Sequence, residues 1–148
     1  MDDRIEKHAA LNAPIEKVWR ALTDHEEFGQ WFGVKLDKPF EPGEIVTGRI
    51  TQSGYDHVTW TATIKTMDAP RYFAFTWHPY AIDPDIDYSQ EPTTLVEFRL
   101  EPTPSGTHLS VTESGFGALP SHRQAEALRM NDHGWSVQIG NVATYVEA

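Results

Sequence analysis

From residue 34 to residue 112 the hydrophobic side chains recur at every second position between turn residues, and this period of two constrains the fold more than anything else in the chain. Val58, Trp60, Ala62 and Ile64 alternate with Thr59, Thr61, Thr63 and Lys65, as they must in a strand with one dry face and one wet face. Phe73, Phe75 and Trp77 repeat the pattern. Val96, Phe98 and Leu100 do so again with Glu97 and Arg99 outward, and Leu109 and Val111 complete a hairpin across residues 102–106. With residues 4–11, 34–38 and 45–52 added, the count is about seven antiparallel strands.

A sheet with one apolar face needs a cover. After Pro120, the residues Leu128, Trp135, Ile139, Val142 and Val146 form an apolar stripe at helical spacing, and no other predicted element is long enough to cover the sheet. Gly134 and Gly140 interrupt this helix, each at a cost of about 0.5–1 kcal/mol relative to Ala, and close approach to the sheet is the expected reason. Near the N-terminus, Ile15, Val18, Trp19 and Leu22 fall on one face of a short helix, with Pro14 predicted at its first position. A second short helix is expected from His25 to Trp31, ended by Gly33. The fold class is therefore α+β: a strand, two short helices, six further strands and a long helix, read as one domain over residues 1–148.

Composition narrows the function classes. The chain carries 12 Lys and Arg against 22 Asp and Glu, a formal charge of −10, and no two basic residues are adjacent, so the electrostatic footprint of a nucleic-acid or anionic-membrane binder is missing. Cysteine is absent, which removes disulfides, thiol catalysis and iron–sulfur ligation. The N-terminus is acidic where a signal peptide is basic, and no window approaches 18 consecutive apolar residues. The expectation is a cytoplasmic protein without membrane insertion and without a cofactor. The seven histidines are dispersed with no H-E-x-x-H, so a zinc hydrolase has no support, and there is no P-loop, G-x-S-x-G or G-x-G-x-x-G. Asp83, Asp85 and Asp87 open like a calcium loop, but Tyr88 stands where Gly is needed and Thr94 where a bidentate Glu is needed. The surrounding residues 80–92 read as a long acidic connection, beyond the usual hairpin loop of about 2–5 residues.

Several short stretches, in this order, resemble a known family. They are residues 13–24 (APIEKVWRALTD) running into Trp31, then Pro42-Gly43, Phe75-Thr76-Trp77, Leu109-Ser110-Val111-Thr112 with Gly115-Phe116, and Gly134-Trp135. Together they are similar to the START-like (SRPBCC) superfamily, and within it to bacterial single-domain proteins related to the C-terminal domain of the activator of Hsp90 ATPase. The resemblance implies a helix-grip fold, a curved antiparallel sheet wrapped around the C-terminal helix with an apolar cavity between them. Relatives bind lipids, sterols, plant hormones or polyketides, and some catalyse reactions in the cavity; the fold implies a pocket, not a substrate. The co-chaperone uses a further N-terminal domain to stimulate Hsp90, whereas here the fold is expected to begin by residue 4, so Hsp90 is a disfavoured partner.

If the strand parity holds, Val58, Trp60, Ala62, Phe73, Phe75, Trp77, Val96, Phe98, Leu109 and Val111 face Trp135 and Ile139, as a filled core or as a cavity lining. The candidate ligand-binding residues are Trp31, Trp60, Phe75, Trp77, Phe98, Glu113, Trp135 and Ile139. Glu113 continues the inward series 109, 111, 113 and is expected near a pocket mouth, with pairing to a basic residue or capping of a turn as the structural alternative. His57, His78 and Arg49 are weaker candidates at strand ends or on an undecided face. Three functions follow: binding of a small apolar or aromatic molecule, acid–base catalysis in the same cavity by Glu113 and a histidine, or a chaperone-associated interaction module. Nothing in the sequence sets the oligomeric state.

Overall fold

In the computed structural model, which describes residues 3–55, 57–83 and 85–148, seven strands form one sheet. They are β1 (Arg4–Leu11), β2 (Val34–Leu36), β3 (Ile45–Ile50), β4 (Thr59–Asp68), β5 (Tyr72–Trp77), β6 (Thr94–Thr103) and β7 (Gly106–Ser114). The spatial order is β1-β7-β6-β5-β4-β3-β2, every pair antiparallel, so the chain meanders from β2 to β7 and β1 adds to the far edge. Helices α1 (Ile15–Thr23) and α2 (His25–Phe32) follow β1, and α3 (Ser121–Glu147) follows one 3-10 turn at Phe116–Ala118. This is the helix-grip arrangement expected from the sequence. No helix among the described residues is long and apolar enough to cross a membrane.

The helix boundaries follow from capping. Pro14 is the N-cap of α1 rather than its first residue; its carbonyl accepts from the amides of Lys17 and Val18, and its extended ψ of 153° is the ordinary cap conformation. Asp24 ends α1 and caps α2, its carboxylate accepting from the amides of Glu26 (2.9 Å) and Glu27 (3.1 Å). Gly33 closes α2 at φ +89°, a conformation that glycine adopts without strain.

Alternation buries Trp60, Ala62 and Ile64 on β4 as expected, then a register shift between Ile64 and Thr66 breaks it. Val58 precedes the strand and is half-buried. The core is built largely of rings. Phe28 of α2 lies 4.8–5.7 Å from Trp31, Phe32, Phe40 and Trp60, and Phe73 stacks on Phe98 at 5.9 Å. On α3 the buried positions are Arg123, Ala127, Trp135, Val142 and Val146, while Leu128 and Ile139 are only half-buried against the core.

The two helix glycines correct the expectation of close packing. A β-carbon added at Gly134 or Gly140 would meet nothing within 4 Å. Substituting Gly140 by Ala should therefore raise stability by about 1 kcal/mol, whereas Phe28→Ala should lower it by about 3–5 kcal/mol. Urea unfolding followed by far-UV circular dichroism measures both.

Candidate ligand-binding cavity

Where α3 crosses the sheet beside β3, β4 and β5, the layers do not close, and a cavity of about 750 Å³ remains, partly open to solvent. The middle of α3 forms one wall through Asn131, Gly134, Trp135 and Gln138, and the start of β4 and end of β5 form another through Trp60 and Trp77. Tyr80, Ala81, Ile82, Asp87, Tyr88 and Ser89, from the connection between β5 and β6, close one side; Tyr55 and Val58 come from the connection between β3 and β4.

Three of the candidates named from sequence, Trp60, Trp77 and Trp135, line this cavity. Trp77 lies 5.9 Å from Trp60 and 5.8 Å from Trp135, ring centre to ring centre, so the three indoles form a continuous apolar wall. Phe75 and Phe98 are fully buried in the ring layer outside the lining, and Ile139 is half-buried and also outside it. Trp31 is elsewhere: its indole N–H donates to the Ala21 carbonyl (2.7 Å), tying α2 to α1. Arg49 and His57 are exposed and outside the lining, whereas His78 lines it, with Nε2 3.0 Å from the Glu91 carbonyl. His133 joins the lining from α3. Pro84 lies outside the described residues, so the Asp83-to-Asp87 stretch is described only around it; among the described residues no group of three or more metal-ligating side chains comes together.

Glu113 is not at a mouth, and among the described residues it has no basic partner. It has no solvent exposure, and its carboxyl group accepts from the indole N–H of Trp77 (2.7 Å), the indole N–H of Trp135 (2.8 Å), the Asn131 amide (3.0 and 3.2 Å) and the Thr94 hydroxyl. No histidine is among these partners. Indole nitrogens can only donate, so the set matches a group that only accepts. Burial pushes the Glu113 pKa above its ordinary value, and the four donors pull against burial without overcoming it.

Sequence reasoning missed two members of this cluster, although both left a signal. Thr94 extends the inward series of Val96 and Phe98 by one step and sits opposite Trp77 in the β5–β6 register. Asn131 precedes Trp135 by four residues, which puts both on one helix face. Arg123 was missed as well. Its guanidinium, with the side chain 10% exposed, donates to Glu91 (3.0 Å) and to the Tyr80 (3.1 Å) and Pro79 (2.9 Å) carbonyls, and lies 4.7 Å from the centre of the Tyr88 ring. It fastens the β5–β6 connection to the start of α3. The Trp60 indole N–H is buried with no hydrogen-bond partner among the described residues.

This combination of sheet, helix and cavity can be compared with known proteins. Residues 12–147 match the family described as activator of Hsp90 ATPase homolog 1-like protein. The chain belongs to that family. A search of curated proteins found no match. Among solved structures, protein MLL2253 from Mesorhizobium loti superposes with a TM-score of 0.75 at 25% identity, over 96% of this chain and 95% of that one. DynU16, from the dynemicin biosynthetic locus, gives 0.76 at 24% identity over the whole of this chain, which spans 48% of DynU16. The Aha1 dimer from Colwellia psychrerythraea gives 0.73 at 15% identity over 97% of this chain and 96% of that chain. These last two likenesses establish the fold alone.

Two outcomes test the cluster. Glu113→Gln places an amide N–H₂ where donors converge, and each buried donor left unpaired costs about 1–3 kcal/mol, so unfolding in urea should show a clear loss of stability. Because the folded pKa is raised, the folded state binds the proton more tightly than the unfolded one. Wild type should therefore lose stability relative to Glu113→Gln as pH rises from the ordinary 4.5 through the raised value. Arg123→Ala should speed amide hydrogen exchange across residues 79–91 and leave the central strands protected, as hydrogen exchange with mass spectrometry would show.

Proposed function

We propose that the protein binds a small apolar or aromatic molecule in the cavity between α3 and the β3–β5 side of the sheet. One observation carries this reading: beside a core of closely packed rings, the chain leaves about 750 Å³ open against a wall of three indoles. Protein interiors close to crystal-like density, and large apolar pockets with a few polar groups are the usual form of small-molecule sites.

Gly134 supports the same reading. It lies in the middle of α3, where glycine is the costliest residue apart from proline, and no packing contact requires it. It lines the cavity, so the missing side chain is volume given to the cavity. The gain available to a ligand is adequate. Burying ~250 Å² of apolar ligand surface contributes about 6 kcal/mol, which after association costs corresponds to weak or intermediate affinity unless polar contacts add to it.

The test uses a neutral fluorescent probe, N-phenyl-1-naphthylamine. Wild type should bind it saturably at one site, with the blue shift of an apolar environment, and Gly134→Leu should abolish binding without lowering the unfolding midpoint. Absence of saturable binding in wild type, or equal binding in Gly134→Leu, would overturn the proposal.

A further inference from the structure

The walls of the cavity carry information about the charge of what enters. Among the described residues no Lys or Arg lines it, and Asp87, on the β5–β6 connection, is the single formally charged lining residue. Hydrogen bonds from Ser89 hold the exposed Asp87 carboxyl below its ordinary pKa, so it stays ionised at neutral pH. An anion brought here would lose hydration and meet neither Lys nor Arg in return; His78 and His133 are the lining side chains able to take up positive charge, and His78 acts on Asp87 itself. The whole chain, at −10, repels an anion on approach and draws a cation in.

The aromatic walls act in the same direction. Ring faces are the negative pole of the aromatic quadrupole and attract cations. Trp77 and Trp135 both donate their indole N–H, which lies in the ring plane, to Glu113, so the polar edge of each indole is engaged with the carboxyl and is not what a ligand meets across the ring. Tyr88 already takes one cation, the Arg123 guanidinium, and that charge is matched by Glu91 at 3.0 Å. Of the other charges acting on this wall, Arg129 and Glu126 on Tyr80 oppose each other in sign, and His78 acts on Asp87.

We infer that the cavity prefers an organic cation, an aromatic or alkyl amine, over a neutral or anionic molecule of the same shape. The inference rests on the ligand-binding function proposed above. Three probes with the same ring separate the two: 2-naphthylmethylammonium, 2-naphthylmethanol and 2-naphthoate, titrated by isothermal calorimetry at neutral pH.

The ammonium should bind about tenfold or more tighter than the carboxylate, with the alcohol between them. Asp87→Asn should weaken the ammonium a few-fold, on the order of an exposed ion pair, and weaken it more than it does the alcohol. If the alcohol or the carboxylate binds as tightly as the ammonium, the charge preference is overturned and the cavity's role in binding stands. An ammonium affinity unchanged in Asp87→Asn overturns the part assigned to Asp87. If none of the three binds wild type, the ligand-binding function falls and this inference falls with it.

Discussion

A carboxyl group without solvent or counter-ion has to be held by donors, and the four side chains that hold Glu113 come from three different elements. Trp77 belongs to β5, Thr94 to β6, and Asn131 and Trp135 to α3, while Glu113 itself is on β7. Hydrophobic burial alone would let the helix slide or roll over the sheet, because apolar contact is not directional. Five hydrogen bonds of defined geometry converging on two oxygens remove that freedom. The cluster therefore sets the register of α3 against the sheet, and with it the width of the opening beside β3, β4 and β5.

It also decides how the indoles of Trp77 and Trp135 present themselves. With each N–H turned to Glu113, the polar edge of each ring is satisfied inside the protein, and what remains toward the cavity is hydrocarbon. Trp60 differs, since its N–H is buried without a partner among the described residues, and this is the least satisfied polar atom of the wall among them. The side of the cavity closed by the β5–β6 connection depends on Arg123 in a comparable way. Two backbone carbonyls, one carboxylate and one tyrosine ring of the β5–β6 connection converge on a single guanidinium at the start of α3. The positive φ of Tyr80, +50°, lies in the part of the connection held by these bonds, which supply what the strained residue costs.

Most of the architecture was legible because it is written locally. A period of two over 4 to 8 residues specifies which face of a strand is dry, and Asp24 and Gly33 mark the α2 boundaries through side-chain and backbone chemistry that needs no tertiary context. The site was only partly legible, for a physical reason. Trp31 and Trp77 are chemically equivalent in sequence; one closes on the Ala21 carbonyl inside the α1–α2 corner and the other borders open space, and only the three-dimensional path of the chain separates them. Glu113 was located near a mouth because it stands near the end of β7. That strand is flanked on both sides, with Ile5 of β1 and Val96 of β6 opposite Glu113, and α3 lies across it, so a strand end here is an interior position. Thr94 was readable from parity and Asn131 from helical spacing, whereas a buried Arg123 leaves no periodic trace.

The glycines of α3 show why the period of an element and its purpose have to be argued separately. Both interrupt the same helix, and both were expected to permit close approach, yet neither has a neighbour that a methyl group would touch. Gly140 is exposed, and nothing in the structure explains it. Gly134 faces the cavity next to Trp135, where a larger side chain would occupy the open volume without disturbing the core. A helix that gives up about 1 kcal/mol at this position gains nothing in packing and leaves open volume beside the indole wall. Stability and open volume thus pull against each other at one residue of the helix that the Glu113 cluster pins in place.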